Sequence, residues 1–428
     1  MRIAFIAAGS GPQFYCENCA RDGSLGRALG ARGHHVETAS LYLPIGGENR
    51  REAPVFCGAI GLYLRHQVPL VRRAPRWAQR ILDARPLLSV AGRLSGATAP
   101  RALQNLTLSM LRGDAFTSAA DAEALPRWLE SVRPDVIHLS NALLIGLAKP
   151  LRKAIGAPVT CTLQDEDTWI NAMDREAREE AWRIMTRHAA SVDLFLPVSS
   201  AFGKAMAIRM GLSSDGYRVV PIGIDVDGEP RPKPVDGPAV IGYLSRIALD
   251  MGAELLADAV LLLAREGRFP DLRLRMTGGA TAADAPVLRS LRRRFAAAGL
   301  SDRLSIEPAF DPLSRRRFLE GVTVLSVPVP RGEAFGLFML EAMAAGVPVV
   351  QPRLGGFTEL VEDTGGGILY EPNTASALAQ ALSSILADRG RARGMGLAGR
   401  QAVVARYSST AMAEAMESAF AHAAGRLP

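Results

Sequence analysis

Two carboxylates lie eight positions apart in the stretch EAFGLFMLEAMAAGVPVV, at Glu333 and Glu341, with Gly336 between them. The preceding segment VTVLSVPVPR reads as a buried strand that ends in a proline-bounded loop, and the residues from Leu337 onwards read as a helix. A glycine at a helix start lets an anion approach the backbone N–H groups, where the helix dipole favours negative charge. The carboxylates can accept hydrogen bonds from ribose and sugar hydroxyls. The pattern therefore indicates a site for a ligand that carries both phosphate and hydroxyl groups.

The elements that must position these residues alternate along most of the chain. Short apolar runs such as RIAFIAA, PDVIHLS, AVIGYLS and VPVVQP are followed by helix-length segments. This alternation is typical of parallel sheets with helices on both faces, whose ligands bind beyond the carboxyl ends of the strands. A chain of 428 residues also exceeds the size of one ordinary core. We therefore predict an α/β protein with two Rossmann-like doubly wound domains that face a central cleft.

The predicted domain limits follow from a break in this alternation. The segment PIGIDVDGEPRPKPVDGPAV is rich in proline and glycine and falls between two strand candidates, which is typical of a linker. The sequence therefore predicts a first domain, a linker, a second domain and a C-terminal helix that packs toward the first domain, at 1–227, 228–237, 238–407 and 408–428 respectively.

An arginine-rich segment of helical character interrupts the first domain at about 64–118. In RRAPRWAQRILDARPLLSVAGRL, arginine recurs with Trp77, Ile81 and Leu82 at helical spacing. The segment reads either as a solvated helical hairpin with a buried apolar stripe, or as a basic amphipathic face that rests on an anionic membrane or grips an acceptor. The sequence leaves both interpretations open.

Composition and charge exclude several classes of protein. With 48% apolar and 22% charged residues the chain is an ordinary globular protein. No run approaches the roughly 18 apolar residues that span a bilayer, and MRIAFIAAGSG reads as a strand rather than a secretory signal. The net charge of +7 comes from scattered arginine, which favours an anionic ligand or membrane surface over nucleic acid. We expect a cytoplasmic protein, with peripheral contact at the inner face of the membrane as an alternative.

The cysteines and the first glycine loop predict neither a metal site nor a dinucleotide site. Cys16 and Cys19 form the one notable pair among four cysteines, but zinc would need two more ligands. A structural or cleft-lining role is therefore favoured. Gly9 and Gly11 follow the first strand, yet Phe14 stands where a dinucleotide fingerprint needs its third glycine.

The stretch from Glu333 to Glu341 resembles the E-x7-E signature of retaining glycosyltransferases with the GT-B fold, in particular the large family 4. The similarity extends to GGFTELVEDTGGGILYEPNTASALAQAL, VSSAFGKAM, VVPIGIDVD and RPDVIHLSNALL, and so covers nearly the whole chain. It implies that Glu333 contacts hydroxyls of the donor sugar and that Glu341 binds the ribose. It also implies that the turn Phe335-Gly336-Leu337 holds the diphosphate. A buried helix whose carboxylates merely cap and pair is the structural alternative.

The chain departs from this family where the second domain opens. An R-x4-K-G pattern there commonly supplies two cations to the departing diphosphate, but YLSRIALDMGAELL keeps Arg246 and Gly252 and has Met251 in place of the lysine. Loss of one charge facing a developing pyrophosphate can remove several kcal/mol of transition-state stabilisation. Our hypothesis is that Arg331, two residues before Glu333, replaces the lysine.

A second departure lies in the first domain, where many family members carry a histidine after the fifth strand. In VTCTLQDEDTWI, Gln164 stands at about that place, and Asp165, Glu166 and Asp167 follow. These acids could orient an acceptor or accept its proton, hold a metal as D-x-D, or cap the following helix. Because GT-B enzymes generally work without a metal, none is predicted.

The resemblance implies a retaining hexosyltransferase that moves a sugar from a nucleoside diphosphate sugar, with UDP or GDP preferred, to a small-molecule, lipid or glycan acceptor. No other cofactor is expected. Two alternatives are a silent or repurposed GT-B protein that binds a nucleotide sugar or a partner, which Met251 and Gln164 favour, and a sugar-nucleotide epimerase. The predicted catalytic residues are Glu333, Arg246 and Asp165. The predicted donor-binding residues are Gly11, Arg331, Ala334, Phe335, Gly336, Leu337 and Glu341. The predicted acceptor-side residues are Tyr15, Arg21, Asn141, Gln164 and Glu166.

Overall fold

The computed structural model of the chain describes residues 1–7, 17–41, 101, 103–114, 119–226 and 237–425, with the backbone alone for 119–123. Every structural statement below concerns these residues. Several sequence predictions lie outside them, namely those for Gly11, Tyr15, Cys16, residues 228–236 of the linker and most of the segment at 64–118.

The first part of the chain forms a sheet of five parallel strands in the order β2-β1-β3-β4-β5. All residues of the last three strands are buried, as expected for parallel strands that helices cover on both faces. The strands are β1 (Arg2–Ala7), β2 (His35–Ser40), β3 (Val136–Leu139), β4 (Val159–Leu163) and β5 (Leu194–Pro197). The helices are α1 (Glu17–Ala31), α2 (Gln104–Arg112), α3 (Ala119–Val132), α4 (Ala148–Ile155), α5 (Glu166–Asn171), α6 (Arg175–Ala189) and α7 (Ser200–Met210).

The second part forms a sheet of six parallel strands in the order β11-β10-β9-β6-β7-β8. Its strands are β6 (Val240–Leu244), β7 (Arg273–Thr277), β8 (Leu304–Ile306), β9 (Val324–Leu325), β10 (Val349–Pro352) and β11 (Gly367–Tyr370). The helices are α8 (Ala253–Glu266), α9 (Ala285–Ala297), α10 (Pro312–Glu320), α11 (Leu337–Ala344), α12 (Gly355–Thr364), α13 (Ala375–Leu386), α14 (Arg389–Arg406) and α15 (Ser409–Ala423).

Contacts divide the chain into two units. The first comprises Met1–Pro12, Asn18–Pro221 and Met412–Pro428, and the second comprises Gln13–Glu17 and Ile222–Ala411. Each unit holds one parallel sheet, so the predicted pair of parallel α/β sheets is confirmed. Within the described ranges no helix is long and apolar enough to cross a membrane.

Helix α15 completes the core of the first unit. Met412, Met416 and Phe420 recur at helical spacing and pack with Ile3 and Phe5 of β1 in one buried cluster. Truncation of a buried phenylalanine typically destabilises a protein by roughly 3–5 kcal/mol. Residues from the end of the chain therefore stabilise a sheet that begins at its first residues.

Helix α11 lies inside the second unit and carries one charged residue, Glu341, in the sequence LFMLEAMA. Its other seven residues are buried. Helix α14 approaches closely because a Cβ atom on Gly396 would collide with the carbonyl oxygen of Gly346, just beyond the end of α11. Since apolar neighbours cover its sides, α11 offers polar groups chiefly through its N-terminal end and through Glu341.

Candidate functional site

Two glycines fix the loop that leads into α11. Gly336 has φ 100° and ψ 78°, a region that strains any other residue. A Cβ atom there would also lie 2.9 Å from a ring carbon of Phe357. Beneath the loop, the N–H of Gly356 donates to the carbonyl oxygen of Glu333 at 2.8 Å, and a Cβ atom on Gly356 would collide with the carbonyl of Ala334. The backbone before α11 is therefore held in one shape.

The start of α11 already binds an anionic oxygen. The N–H of Leu337 donates to the carboxylate of Glu17, with 2.6 Å between N and Oε2, and the contacts group Glu17 with the second unit. The positive end of the helix dipole favours this arrangement. Because the side chains of Phe335 and Leu337 are buried, the predicted diphosphate-binding turn offers backbone groups. Chemically, the same helix start can hold a phosphate oxygen.

Glu341 forms a two-point ion pair with Arg315 of α10, a residue that the sequence patterns did not single out. Nη2 of Arg315 lies 2.8 Å from Oε1 of Glu341, and Nε lies 3.0 Å from Oε2. Both side chains are largely buried, with 13% and 12% of their surface exposed. The run of arginines at 315–317 was the one available signal. It did not reveal which arginine faces Glu341, because successive helical residues point in different directions.

Two carboxylates hold Arg246, the predicted cation. Its Nη1 lies 2.9 Å from Oδ1 of Asp284, and its Nη2 lies 2.6 Å from Oδ2 of Asp250. Asp284 also accepts from the N–H and the hydroxyl of Thr281 at 2.8 and 2.7 Å, which fixes its orientation. One guanidinium facing two carboxylates leaves this corner with an excess of negative charge, next to Met251.

Tyr243 fixes the turn that carries Arg246, whereas the side chain of Arg331 is less constrained than its backbone. The hydroxyl of Tyr243 donates to the carbonyl of Arg246 at 2.7 Å and lies 3.2 Å from that of Met251. Burial raises the pKa of Tyr243 well above its usual value, so the hydroxyl keeps its proton. Arg331 is exposed and forms no ion pair within the part of the chain that the structure describes. It can therefore turn toward an anionic ligand without breaking a contact.

In the first unit, a series of hydrogen bonds runs from Arg21 into the sheet. Arg21 is buried, and its Nη1 and Nη2 lie 2.9 Å from Asp22 Oδ1 and 2.9 Å from Thr162 Oγ1. Oγ1 of Thr162 also lies 3.1 Å from Nε2 of His138. On the other side of the ring, Nδ1 of His138 lies 2.9 Å from Oγ1 of Thr160. Burial lowers the pKa of His138 well below its usual value, which keeps the ring neutral.

Glu166 joins the segments that follow β3 and β4. Its Oε1 accepts from the N–H of Ala142 at 2.9 Å, and its Oε2 accepts from the N–H of Gln164 at 2.7 Å. Burial raises the pKa of Glu166 to about 8, although both backbone hydrogen bonds oppose this shift. Gln164 in turn donates from Nε2 to the carbonyl of Ser140 at 2.8 Å. Both side chains therefore hold the backbone at the carboxyl edge of the first sheet, the edge where its strands end.

Asn141 and Asp165 begin short helices at the same edge. The side chain of Asn141 accepts a hydrogen bond at 3.0 Å from the N–H of Leu143, which lies in the 3-10 helix Ala142–Leu147. Asp165 has φ 56° at the start of α5, which is uncommon outside glycine. Within the described residues, no group of three histidine, cysteine, aspartate or glutamate side chains is placed to hold a metal. Cys161 in β4 is a buried thiol.

The structure distributes the described site residues over the carboxyl edges of both sheets. In the second unit, the two glutamates of the E-x7-E stretch and Gly336 follow β9, and Arg246 follows β6. In the first unit, the described acceptor-side residues lie in α1 or follow β3 and β4; they are Arg21, Asn141, Gln164 and Glu166. This is the edge at which open α/β sheets bind their ligands.

Two family models match the chain. The model described as "Glycosyl transferase 4-like domain" matches residues 22–223. The model described as "Glycosyl transferases group 1" matches residues 238–388, a range that includes all of α10 and α11. The matched ranges together span most of the chain.

Among curated relatives, a D-inositol 3-phosphate glycosyltransferase of Xylanimonas cellulosilytica is 33% identical over 231 residues, which are 51% of this chain and 54% of that protein. A GDP-mannose-dependent alpha-(1-6)-phosphatidylinositol monomannoside mannosyltransferase of Mycobacterium tuberculosis is 30% identical over 49% of this chain and 54% of its own length. The chain thus spans about half the length of these relatives.

Among solved structures, a sucrose-phosphate synthase from Thermosynechococcus elongatus gives a TM-score of 0.69 at 20% identity and covers 99% of both chains. The Anabaena protein HepE, solved in complex with UDP, gives a TM-score of 0.69 at 16% identity and covers 99% of this chain and 100% of its own. These similarities establish the fold over nearly the full length of the chain.

Proposed function

This chain belongs to the group 1 glycosyltransferases of the GT-B fold, with a family-4-like first domain, and we propose that it transfers a sugar from a nucleoside diphosphate sugar to a hydroxyl-bearing acceptor with retention of configuration. The observation that carries the proposal is the start of α11. There, a glycine-fixed loop, a helix N-terminus whose N–H donates to an anionic oxygen, and the two glutamates of the E-x7-E stretch lie in one unit.

Each part of this arrangement suits one part of a nucleotide sugar. The backbone at Gly336 and Leu337 would bind the diphosphate, because the helix dipole and the absent side chain favour an anion there. Glu341 would accept hydrogen bonds from the ribose, and Glu333 would accept them from the sugar. For the diphosphate to bind at the helix start, the carboxylate of Glu17 must leave the N–H of Leu337.

We propose that Arg331, rather than Arg246, faces the charge that develops on the departing diphosphate. A cation stabilises the charge that develops in the transition state more strongly when carboxylates do not already neutralise it. Arg246 is paired with both Asp250 and Asp284. Arg331 is exposed, and no ion pair holds it within the described ranges.

The relatives suggest the chemical class of both substrates. HepE is solved with UDP, and the curated relatives are named for GDP-mannose, inositol phosphate and phosphatidylinositol mannoside. We therefore propose UDP or GDP as the nucleotide and a hydroxyl of a cyclic polyol, free or lipid-linked, as the acceptor. The described acceptor-side residues position the loops at the carboxyl edge of the first sheet. A lipid-linked acceptor would place the protein at the inner face of the membrane.

One observation favours a second candidate function, a GT-B protein that binds nucleotide sugars without transferring them. Met251 replaces a cation, and the corner around Arg246 has an excess of negative charge. Such a corner would repel a diphosphate more than it would stabilise it. Under this second function, a substitution of Arg331 would not change the rate of sugar transfer, because the protein would transfer no sugar.

Thermal unfolding of the full chain in the presence of UDP, GDP, ADP, TDP and their sugar conjugates tests donor binding. A ligand that binds only the folded state, present at 100 times its Kd, stabilises that state by about 2.7 kcal/mol. We expect one nucleotide to raise Tm and Glu341→Ala to weaken its binding by roughly 10- to 100-fold. The matched control is Glu362→Ala, since Glu362 forms an exposed pair with Arg353 in the same unit.

Turnover separates the two candidate functions. Release of the nucleoside diphosphate from the donor that binds best is measured with free inositol, inositol phosphate and phosphatidylinositol as acceptors. Under the transferase proposal, Arg331→Ala lowers kcat at least roughly tenfold, while Arg353→Ala leaves it unchanged. Binding without turnover on any acceptor supports the silent function, and the absence of any Tm shift overturns both.

A further inference from the structure

The start of α11 differs from three other helix starts of the second unit in where its hydrogen-bond acceptor comes from. Helices α10, α13 and α14 each begin after a side chain that accepts an N–H of the same helix; these caps are Asp311, Thr374 and Asp388. At α11 the corresponding residue is Gly336, which has no side chain. The carboxylate that accepts from Leu337 belongs to Glu17, 320 positions away. Because this acceptor is not part of the helix, it can leave without unwinding the first turn.

A bound diphosphate and Glu17 would compete for the same backbone. The N–H of Leu337 is a single donor, and it lies 2.6 Å from Oε2 of Glu17. The loop cannot offer this N–H in a second position, because its glycines pack tightly against Phe357 and Ala334. A phosphate on the neighbouring N–H groups would meet the carboxylate at close range, where like charges repel. The two anions therefore exclude each other.

Glu17 is able to withdraw from the helix start. Its side chain is half-buried, and rotation between staggered rotamers moves a glutamate carboxylate by several bond lengths. The helix dipole favours either anion at this position, so the helix start keeps an anionic partner in both states. A nucleoside diphosphate carries more negative charge than one carboxylate, and it gains further contacts through its sugar and ribose. It can therefore displace Glu17.

We propose that Glu17 is an autoinhibitory carboxylate, which occupies the phosphate site at the start of α11 in the unliganded protein and must be displaced by the diphosphate of the donor. This inference rests on the proposed function, in which the backbone at Gly336 and Leu337 binds the diphosphate. The apparent affinity for a nucleotide is then reduced by the fraction of molecules in which Glu17 still occupies the site. Because the nucleoside diphosphate product binds the same backbone, Glu17 also promotes product release.

Nucleotide binding to variants of Glu17 tests the inference. The Kd values of UDP and GDP are measured by titration calorimetry on the full chain at low salt. Glu17→Ala should lower the Kd of the nucleotide that binds by roughly tenfold or more, as for removal of a competing hydrogen bond to a charged group. Glu17→Gln should lower it by roughly threefold, because a neutral amide oxygen is a weaker competitor than a carboxylate. Glutamine keeps the size of the side chain, so this variant decides the question if Glu17→Ala does not fold.

Asp388→Ala is the matched control. Asp388 is also a carboxylate that accepts an N–H at a helix start, that of Arg391 at 2.8 Å, and it lies in the same unit. Each alanine variant removes one negative charge and one hydrogen bond at a helix start, so each should lower the Tm of the unliganded protein. Only Glu17→Ala should tighten nucleotide binding. A structural role alone for Glu17 would lower Tm without any gain in nucleotide affinity.

Each result decides a different question. Nucleotide binding that is unchanged or weaker in the Glu17 variants than in the unmodified protein overturns the inference and leaves the proposed function standing. An equal gain in Asp388→Ala shows a general effect of net charge and also overturns the inference. Binding to Glu17→Ala but not to the unmodified protein supports it. Absence of UDP and GDP binding to both proteins overturns the proposed function, and the inference fails with it.

Discussion

At the carboxyl edge of the first sheet, Arg21 is 1% exposed and its partner Asp22 is 7% exposed. At the same edge of the second sheet, the side chain of Arg246 is 25% exposed and that of Asp250 is 65% exposed. Both arginines are paired, but water reaches one pair and not the other. Removing one partner from a buried pair is strongly destabilising, whereas an exposed pair contributes little. The buried pair at the first edge therefore stabilises the fold, whereas the exposed pair at the second edge can separate when a ligand binds.

The largest expected difference between the two edges is in stability. Arg21→Met leaves Asp22 buried without its cation and should lower the free energy of unfolding by roughly 3–5 kcal/mol. Arg246→Met should lower it by less, because Arg246 and Asp250 are partly exposed and the largely buried Asp284 keeps its two hydrogen bonds from Thr281. All four tryptophans lie before residue 183, so their fluorescence in urea follows the first unit, and circular dichroism follows the whole chain. Equal losses in the two variants would contradict the comparison.

A dependence of stability on pH should come from the first edge. Burial raises the pKa of Asp22 to about 6 and that of Glu166 to about 8, above roughly 3.9 and 4.3 in unfolded chains. Between these values the folded state binds more protons than the unfolded state, so stability falls as pH rises. This contribution is complete below about pH 4, and its last part, from Glu166, is lost by about pH 8.

Between pH 6 and pH 8 the free energy of unfolding of the first unit, measured in urea, should therefore fall. The titration of Glu166 contributes up to about 1.4 kcal/mol per pH unit to this fall. Glu166→Gln cannot titrate and should flatten this slope. Glu362→Gln, at an exposed site, serves as the control and should preserve it. If Glu166→Gln and the unmodified protein show the same slope, Glu166 does not titrate in this range.

The smallest expected effect concerns the second edge. Asp250→Asn removes one of the two carboxylates that face Arg246 and should strengthen nucleoside diphosphate binding by a few-fold at low salt, as roughly 1 kcal/mol of exposed charge interaction implies. The gain should shrink at 0.5 M salt because the pair is exposed. Asp258→Asn, which removes an exposed partner of Arg294 in the same unit, should leave nucleoside diphosphate binding unchanged. Unchanged or weaker binding by Asp250→Asn would show that Arg246 does not face the nucleotide.

Local sequence patterns predicted the elements well because each element depends on near neighbours. The apolar runs became parallel strands, and the helix after Gly336 begins at Leu337. The special backbone at Gly336 was predictable, because glycine is the residue that best tolerates an unusual φ and the close approach of other groups. The sequence pattern correctly placed Glu333 before α11 and Glu341 within it. The roles assigned to these two glutamates remain proposals.

The partners of the charged residues were not predictable, because they come from distant parts of the chain. Asp284 lies 38 positions from Arg246, and Arg315 lies 26 positions from Glu341. Only the packing of α9 and α10 against the sheet decides which of many acids and arginines meet. Glu166 shows the same limit, since its sequence context did not reveal that its carboxylate accepts two backbone N–H groups.

The position of α15 has a consequence for how the protein is made. The core of the first unit includes Met412, Met416 and Phe420, which a ribosome adds only after the whole second unit has been synthesised. Domains generally fold in the order in which they emerge, but here the unit encoded first must wait for the final helix to cover Ile3 and Phe5. The apolar surface around β1 therefore stays partly uncovered until α15 has been synthesised, so the second unit can fold before the first.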